Sequence, residues 1–144
     1  MRYVKDGDHF LISIEKNDDV IESILSVVKK GNLHSASISG IGAVKDVTLG
    51  IYNTSEKKYD QKHFPGNYEL VSCLGNVSEK DDKMFVHAHV TMNGPDYRTI
   101  GGHLFSAKIA AVGEFVLQPF NTKIVREMND DVGLAAWNLS EENA

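Results

Sequence analysis

His87 and His89, in the stretch MFVHAHV, and His103, in GGHL, are the residues whose types and spacing could do chemistry, because together they could close a metal site. The HxH pair lies in an apolar, β-favouring run, and the period-two alternation of a strand turns both imidazoles to the same side. His103 follows a Gly-Gly pair sixteen positions after His87, which leaves room for a strand, a turn and a returning strand. Three neutral imidazoles with an open fourth position suit catalytic zinc, and imidazole also serves iron, nickel and copper. The same pattern is equally compatible with three separate histidines, each hydrogen-bonded to backbone or standing at a wet sheet edge.

Two carboxylates are placed where they call for partners. Glu114 interrupts the apolar run IAAVGEFVL, and burying a carboxylate there is costly unless it pairs or meets a cation. It either orients a metal-bound water or a ligand histidine, or pairs with Arg98, Arg126 or a neighbouring subunit. Glu69, in NYELVSCLG, poses the same question, so Glu114 and Glu69 are the candidate proton-handling residues. Cys73 reads as a small buried hydrophobe, and His9, His34 and His63 as residues of segment edges. SGIGAV lacks the third glycine and the following helix of a dinucleotide fingerprint, so Gly40 and Gly42 are expected to bend or bulge a strand. No G-x-S-x-G elbow supports a serine nucleophile.

The elements that must position these residues are mostly strands. FLISI, residues 10–14, alternates as a first strand. Asp19 and Glu22 are then spaced as a capping box, and Ile21, Ile24, Leu25 and Val28 recur at helical intervals before Lys29, Lys30 and the stop at Gly31. SASIS and KDVTLGIYN follow as strands, with Val47, Leu49 and Ile51 expected on one face and KKYDQKHF as hairpin partner. Pro65-Gly66-Asn67 is expected to break that partner, the next strand running over 68–77 to an exposed turn in SEKDDK. Gly94-Pro95-Asp96 is a further turn after the HAH strand. Residues 107–118 are apolar on both faces, as in a central strand covered on each side. A last strand is expected over 122–128, with fraying after Trp137. The pattern is α+β: a mostly antiparallel sheet with one principal helix, in a single domain over 1–144.

Composition narrows the function classes. At 144 residues and 42% hydrophobic content the chain can build one respectable core. No apolar run approaches the ~20 residues of a membrane helix. The N-terminus lacks an apolar signal region, and a lone cysteine cannot form an internal disulfide, which together point to a reducing cytoplasm. A net charge of −5 works against attraction to polyphosphate. The lysines of EKKYDQKH and VVKK stand beside acids, as on solvated faces.

Four motifs occurring in order, Gly40 to Val44, Glu69 to Val77, His87 to Val90 and Gly101 to Leu104, followed by Glu114, make the chain resemble the PPC (plants and prokaryotes conserved) domain family over nearly its full length. The resemblance implies an antiparallel sheet with one principal helix, assembled as a homotrimer. In plant members the domain is joined to AT-hook segments that bind A·T-rich DNA, and a DNA-binding label follows the family. This sequence has no Arg-Gly-Arg-Pro core. The fold is also similar to that of acetolactate decarboxylase, a zinc lyase whose metal is held by an HxH pair and a later histidine. The resemblance therefore implies a divalent metal, zinc first, on His87, His89 and His103, with a small anionic ligand at the open position. A DNA-binding regulator and a metal-free oligomeric scaffold are the alternatives.

Overall fold

The computed structural model describes residues 1–139. In chain order the elements are β1 (Arg2–Asp6), β2 (His9–Glu15), α1 (Val20–Lys30), β3 (Ala36–Asn53), β4 (Lys58–Lys80), β5 (Lys83–Asn93), β6 (Thr99–Pro119), β7 (Val125–Asn129) and β8 (Leu134–Asn138). The strands form one sheet in the order β1-β2-β6-β3-β4-β7-β8, with β5 bridging β4 and β6. Strands β3, β4, β5 and β6 thereby close a ring, and closure satisfies backbone groups that an open sheet would leave at an edge. Every pairing is antiparallel except β4 with β7.

The helix forms as its caps dictate. The Asp19 side chain accepts from the Glu22 amide at 3.0 Å, and the Gly31 amide donates to the Val27 carbonyl at 2.8 Å. Val20, Ile24, Val27 and Val28 are buried as α1 packs on β5 and β6, while Ile21 and Leu25 are only partly covered. The core is one contiguous cluster, with Phe115, Ile14, Ile109, Leu117 and Met92 among its fully buried side chains.

Long strands replace several expected short ones, because bulges absorb the breaks. SASIS and KDVTLGIYN are one strand, β3, whose register slips between Gly40 and Gly42 against β4 and between Gly42 and Val44 against β6. Gly42 sits at φ +153°, and a Cβ there would collide with the Val112 carbonyl and Gly113, so it serves close backbone approach, whereas Gly40 leaves room for the Phe115 ring. Pro65 and Gly66 do not end β4. The strand runs through them with Gly66 at φ +89°, opposite a second slip between Lys45 and Val47. Asp81 and Asp82, both at positive φ, make a two-residue turn from β4 to β5. Of Val47, Leu49 and Ile51, expected on one face, the first two are buried and Ile51, near the end of β3, is 71% exposed.

The two chain ends hold strands that periodicity does not announce. β1 is largely exposed and pairs only with β2, so burial left no alternation to read. The expected last strand is β7, and β8 follows it through a turn containing Gly133 at φ +71°. Fraying was expected after Trp137; Asn138 still pairs with Val125, and residues 140–144 lie outside the described residues.

β6 carries the largest correction. Its inward residues Ile109, Phe115 and Leu117 are buried, but Val112 and Glu114 on the opposite face are exposed, so this strand is covered on one side only. Backbone pairing aligns Val4, Leu11, Val116, Ser39, Leu74, His89 and His103 in one row across that outer face. Val4, Leu11, Ile41, Val71, Leu74 and Val112 are all exposed.

Candidate metal centre

Strand β5 turns Val86, Ala88, Val90 and Met92 into the core, and the pleat therefore turns His87 and His89 outward. The β5–β6 turn, closed by the Tyr97 amide on the Gly94 carbonyl at 2.9 Å, returns the chain antiparallel and sets His103 directly opposite His89. The three ring centroids lie 5.1, 5.1 and 5.5 Å apart. One nitrogen from each ring lies within 4.8 Å of the others. A tetrahedral zinc ion about 2.0–2.1 Å from each nitrogen wants them roughly 3.3 Å apart. Metal binding would therefore draw the rings together by side-chain rotation.

The donor set fits a metal on two counts. His103 is 8% exposed, and its Nδ1 has no hydrogen-bond partner among the described residues. A buried ring nitrogen left unpaired costs on the order of 1–3 kcal/mol, a debt that a metal bond would remove. Burial, followed by the neighbouring positive or titratable groups, pushes His87 and His103 each down to about 4, so both rings are neutral and ligand-competent at pH 7.

Aromatic rings and one arginine hold the triad. Tyr59 and Phe105 flank His103 at centroid distances of 4.8 and 4.9 Å, and Gly50 provides the space, since a Cβ there would lie 2.5 Å from Phe105 and 3.0 Å from Tyr59. Arg126 comes from β7. Its guanidinium donates to Ser78 Oγ at 2.8 Å, to the Ala135 carbonyl at 2.9 Å and to Asn76 Oδ1 at 2.9 Å, and it faces His87 Nδ1 at 3.2 Å. An arginine N–H can only donate, so while this contact stands Nδ1 of His87 accepts and the ring proton sits on Nε2; a metal on His87 would take the Nδ1 lone pair and displace the Arg126 N–H.

Glu114 and Glu69 are elsewhere. Glu114 is exposed on the outer face between Ser13 of β2 and Ile41 of β3, and Glu69 is exposed between Ala43 and Asn93. Neither borders the cavity that His87 and His103 line. Burial was expected to force a partner on Glu114; within a single chain its face of the sheet is open, so no partner from the same chain is demanded. Arg98 pairs with Asp96 in the β5–β6 turn rather than with Glu114. Cys73 is buried, with its thiol pushed up to about 12 by burial, and His9, His34 and His63 are exposed. Sequence reasoning gave Arg126 no place at the triad. Its signal was its phase with Ile124: the two are buried two positions apart, Ile124 just before β7 and Arg126 within it.

The sequence profile of the Plants and Prokaryotes Conserved (PCC, also written PPC) domain matches residues 1–121. The chain belongs to this family. Solved structures of similar proteins agree with the fold. A candidate DNA-binding protein from Bacteroides thetaiotaomicron is 33% identical, with a TM-score of 0.91 over 95% of this chain and 96% of that one. A PPC protein from Pyrococcus horikoshii is 30% identical, with a TM-score of 0.86 over 98% and 97% of the two chains. A protein from Archaeoglobus fulgidus described as metal-containing is 36% identical, with a TM-score of 0.86 over 94% and 96%. A comparison with curated protein sequences finds no match. The PPC match ends before β7, so the hairpin that carries Arg126 lies beyond the matched stretch. Among the described residues, no helix is long and apolar enough to cross a membrane.

Proposed function

We propose that this PPC-domain protein binds a divalent metal ion, zinc first, through His87, His89 and His103, and exposes an open coordination position to a small ligand. The observation that carries the reading is the convergence of three imidazoles around His103, whose buried Nδ1 lacks a partner among the described residues. The metal-containing description of the Archaeoglobus relative supports it. A bound divalent ion would supply a Lewis acid and lower the pKa of a coordinated water. The chain's own residues do the rest: Arg126 and Phe85 set the His87 side of the site, while Tyr59 and Phe105 fix the His103 ring. Neither Glu114 nor Glu69 lines the cavity beside the triad, so within one chain proton transfer falls to the ligand, to solvent or to the imidazoles.

The same reading includes a homotrimer in a reducing, cytoplasmic setting. Exposed Leu11, Ile41, Val71, Leu74 and Val112 support assembly, since an apolar face of this kind is favourably covered by another subunit. Cys73, free and buried, is compatible with a reducing compartment. DNA binding is the second reading, favoured by the description of the Bacteroides relative. A net charge of −5 opposes it.

Elemental analysis of purified protein beside a His87→Ala/His89→Ala double variant tests the metal. About one ion per chain in the wild type and loss in the variant are expected; equal, negligible metal in both would remove the reading. A DNA titration at low ionic strength separates the second reading, which fails if no binding appears there.

A further inference from the structure

A cavity of about 440 Å³ opens beside the triad, with His87 and His103 in its wall. Its ionisable lining is unusual. Tyr59, Lys80 and Arg126 accompany the two histidines, and no Asp or Glu lines it. Arg126 is 9% exposed and has no carboxylate partner among the described residues. Its hydrogen bonds all go to neutral acceptors, which leaves one of its five N–H groups and the whole positive charge uncompensated. Buried charges are ordinarily paired. Lys80 adds a second cation: its Nζ lies 5.5 Å from the centroid of the Phe85 ring, and the Arg126 guanidinium lies 5.4 Å from the same centroid. The remainder of the wall is apolar, formed by Ile21, Leu25, Met84, Phe85, Phe105 and Leu134.

We propose that this cavity binds a small carboxylate with a flat apolar body, its carboxylate at Arg126 beside the triad and its body among Phe85, Phe105, Leu25 and Leu134. The volume is in the range of small-molecule sites, and a few polar groups converging on one end of an apolar pocket fix a ligand's orientation. The free N–H of Arg126 offers a carboxylate oxygen a charge-assisted hydrogen bond, and the uncompensated guanidinium charge favours an anion. Inorganic phosphate would satisfy the cations but leave the apolar wall uncovered. A neutral aromatic would do the reverse. The inference rests on the metal reading in one respect: a divalent ion on three neutral imidazoles adds positive charge to the same wall and strengthens the demand for an anion.

Benzoate is the probe, with benzamide as its neutral analogue and inorganic phosphate as the anion without a body. NMR titrations of the zinc-loaded and the chelator-treated full chain, with metal content measured on the same samples, give the affinities. Benzoate is expected to bind at least tenfold more tightly than benzamide or phosphate. Arg126→Gln, checked for folding by circular dichroism and compared with the wild type in the chelator-treated, metal-free state, is expected to weaken benzoate roughly tenfold or more. Equal binding of benzoate and benzamide by the wild type overturns the proposal whether or not the variant folds. So does a folded Arg126→Gln protein that binds benzoate like the wild type, or preferential phosphate binding. A protein that takes up no zinc yet still prefers benzoate refutes the metal reading and leaves this one standing. Zinc uptake without benzoate binding does the opposite.

Discussion

Gly50→Ala tests whether the packing behind His103 is as tight as the fold requires. The new methyl would lie 2.5 Å from Phe105 Cε2 and 3.0 Å from Tyr59 Cδ1, where carbon atoms normally rest about 3.5–4.0 Å apart. The Phe105 ring must therefore move by about 1 Å. It is held edge-on to Tyr59, with centroids 5.2 Å apart and planes at 88°, and to His103, at 4.9 Å and 68°. Overpacking of this kind costs about 1–3 kcal/mol, and each disturbed aromatic pair adds about 0.5–1.5 kcal/mol at most. Phe105 is only half-buried, so its ring can swing outward and the lower part of the range applies, about 1–2 kcal/mol. For a chain of this size that corresponds to a fall in Tm of roughly 3–8 °C. Because the displaced rings flank His103, zinc affinity should fall as well. Thermal denaturation of metal-free protein and calorimetric zinc titration measure the two effects. A Gly50→Ala/Phe105→Ala double variant removes the obstructing ring, and its loss should be smaller than the sum of the single losses. If Gly50→Ala matched the wild type in both Tm and zinc affinity, or if the double variant were simply additive, the account of the His103 wall would be wrong.

Metal-free protein should lose stability as pH falls from 6.5 towards 4. His87 and His103 ionise near 4 in the fold but near 6.5 when unfolded, so in that window the unfolded chain binds more protons and acid favours it. Urea midpoints at pH 7.5 and 4.5 should differ more in the wild type than in His103→Gln, and equal differences would contradict the assignment. Cys73, with its thiol pushed up to about 12 and its side chain inaccessible, should resist iodoacetamide at pH 8 until urea unfolds the chain; stoichiometric labelling of native protein would refute its burial. Leu74→Asp, placed on the exposed apolar face, should shift the protein towards monomer in light scattering at unchanged helix content, and an unaltered mass would show that this face is not the subunit contact.

The triad was legible in the sequence because an HxH pair in a strand needs only the period-two pleat to share a side, and a turn at Gly94 returns the chain to it. The helix was legible for a similar reason: Asp19, the apolar repeat and Gly31 are local signals acting within a few residues. Tertiary structure decided what depends on which face of a strand is covered. Glu114 lies in an apolar run that reads as buried on both sides, yet only the sheet's packing shows that its face is open. Pro65 and Gly66 look like a break, but a matching slip in β3 lets β4 continue through them. Arg126 is the extreme case. Its sequence neighbours give no sign of the histidines; the parallel pairing of β7 with the end of β4 brings it to Asn76, Ser78 and His87, contacts across intervals that no local period encodes. The residue types therefore named the chemistry available, and the three-dimensional pairing of distant strands determined which of those groups meet.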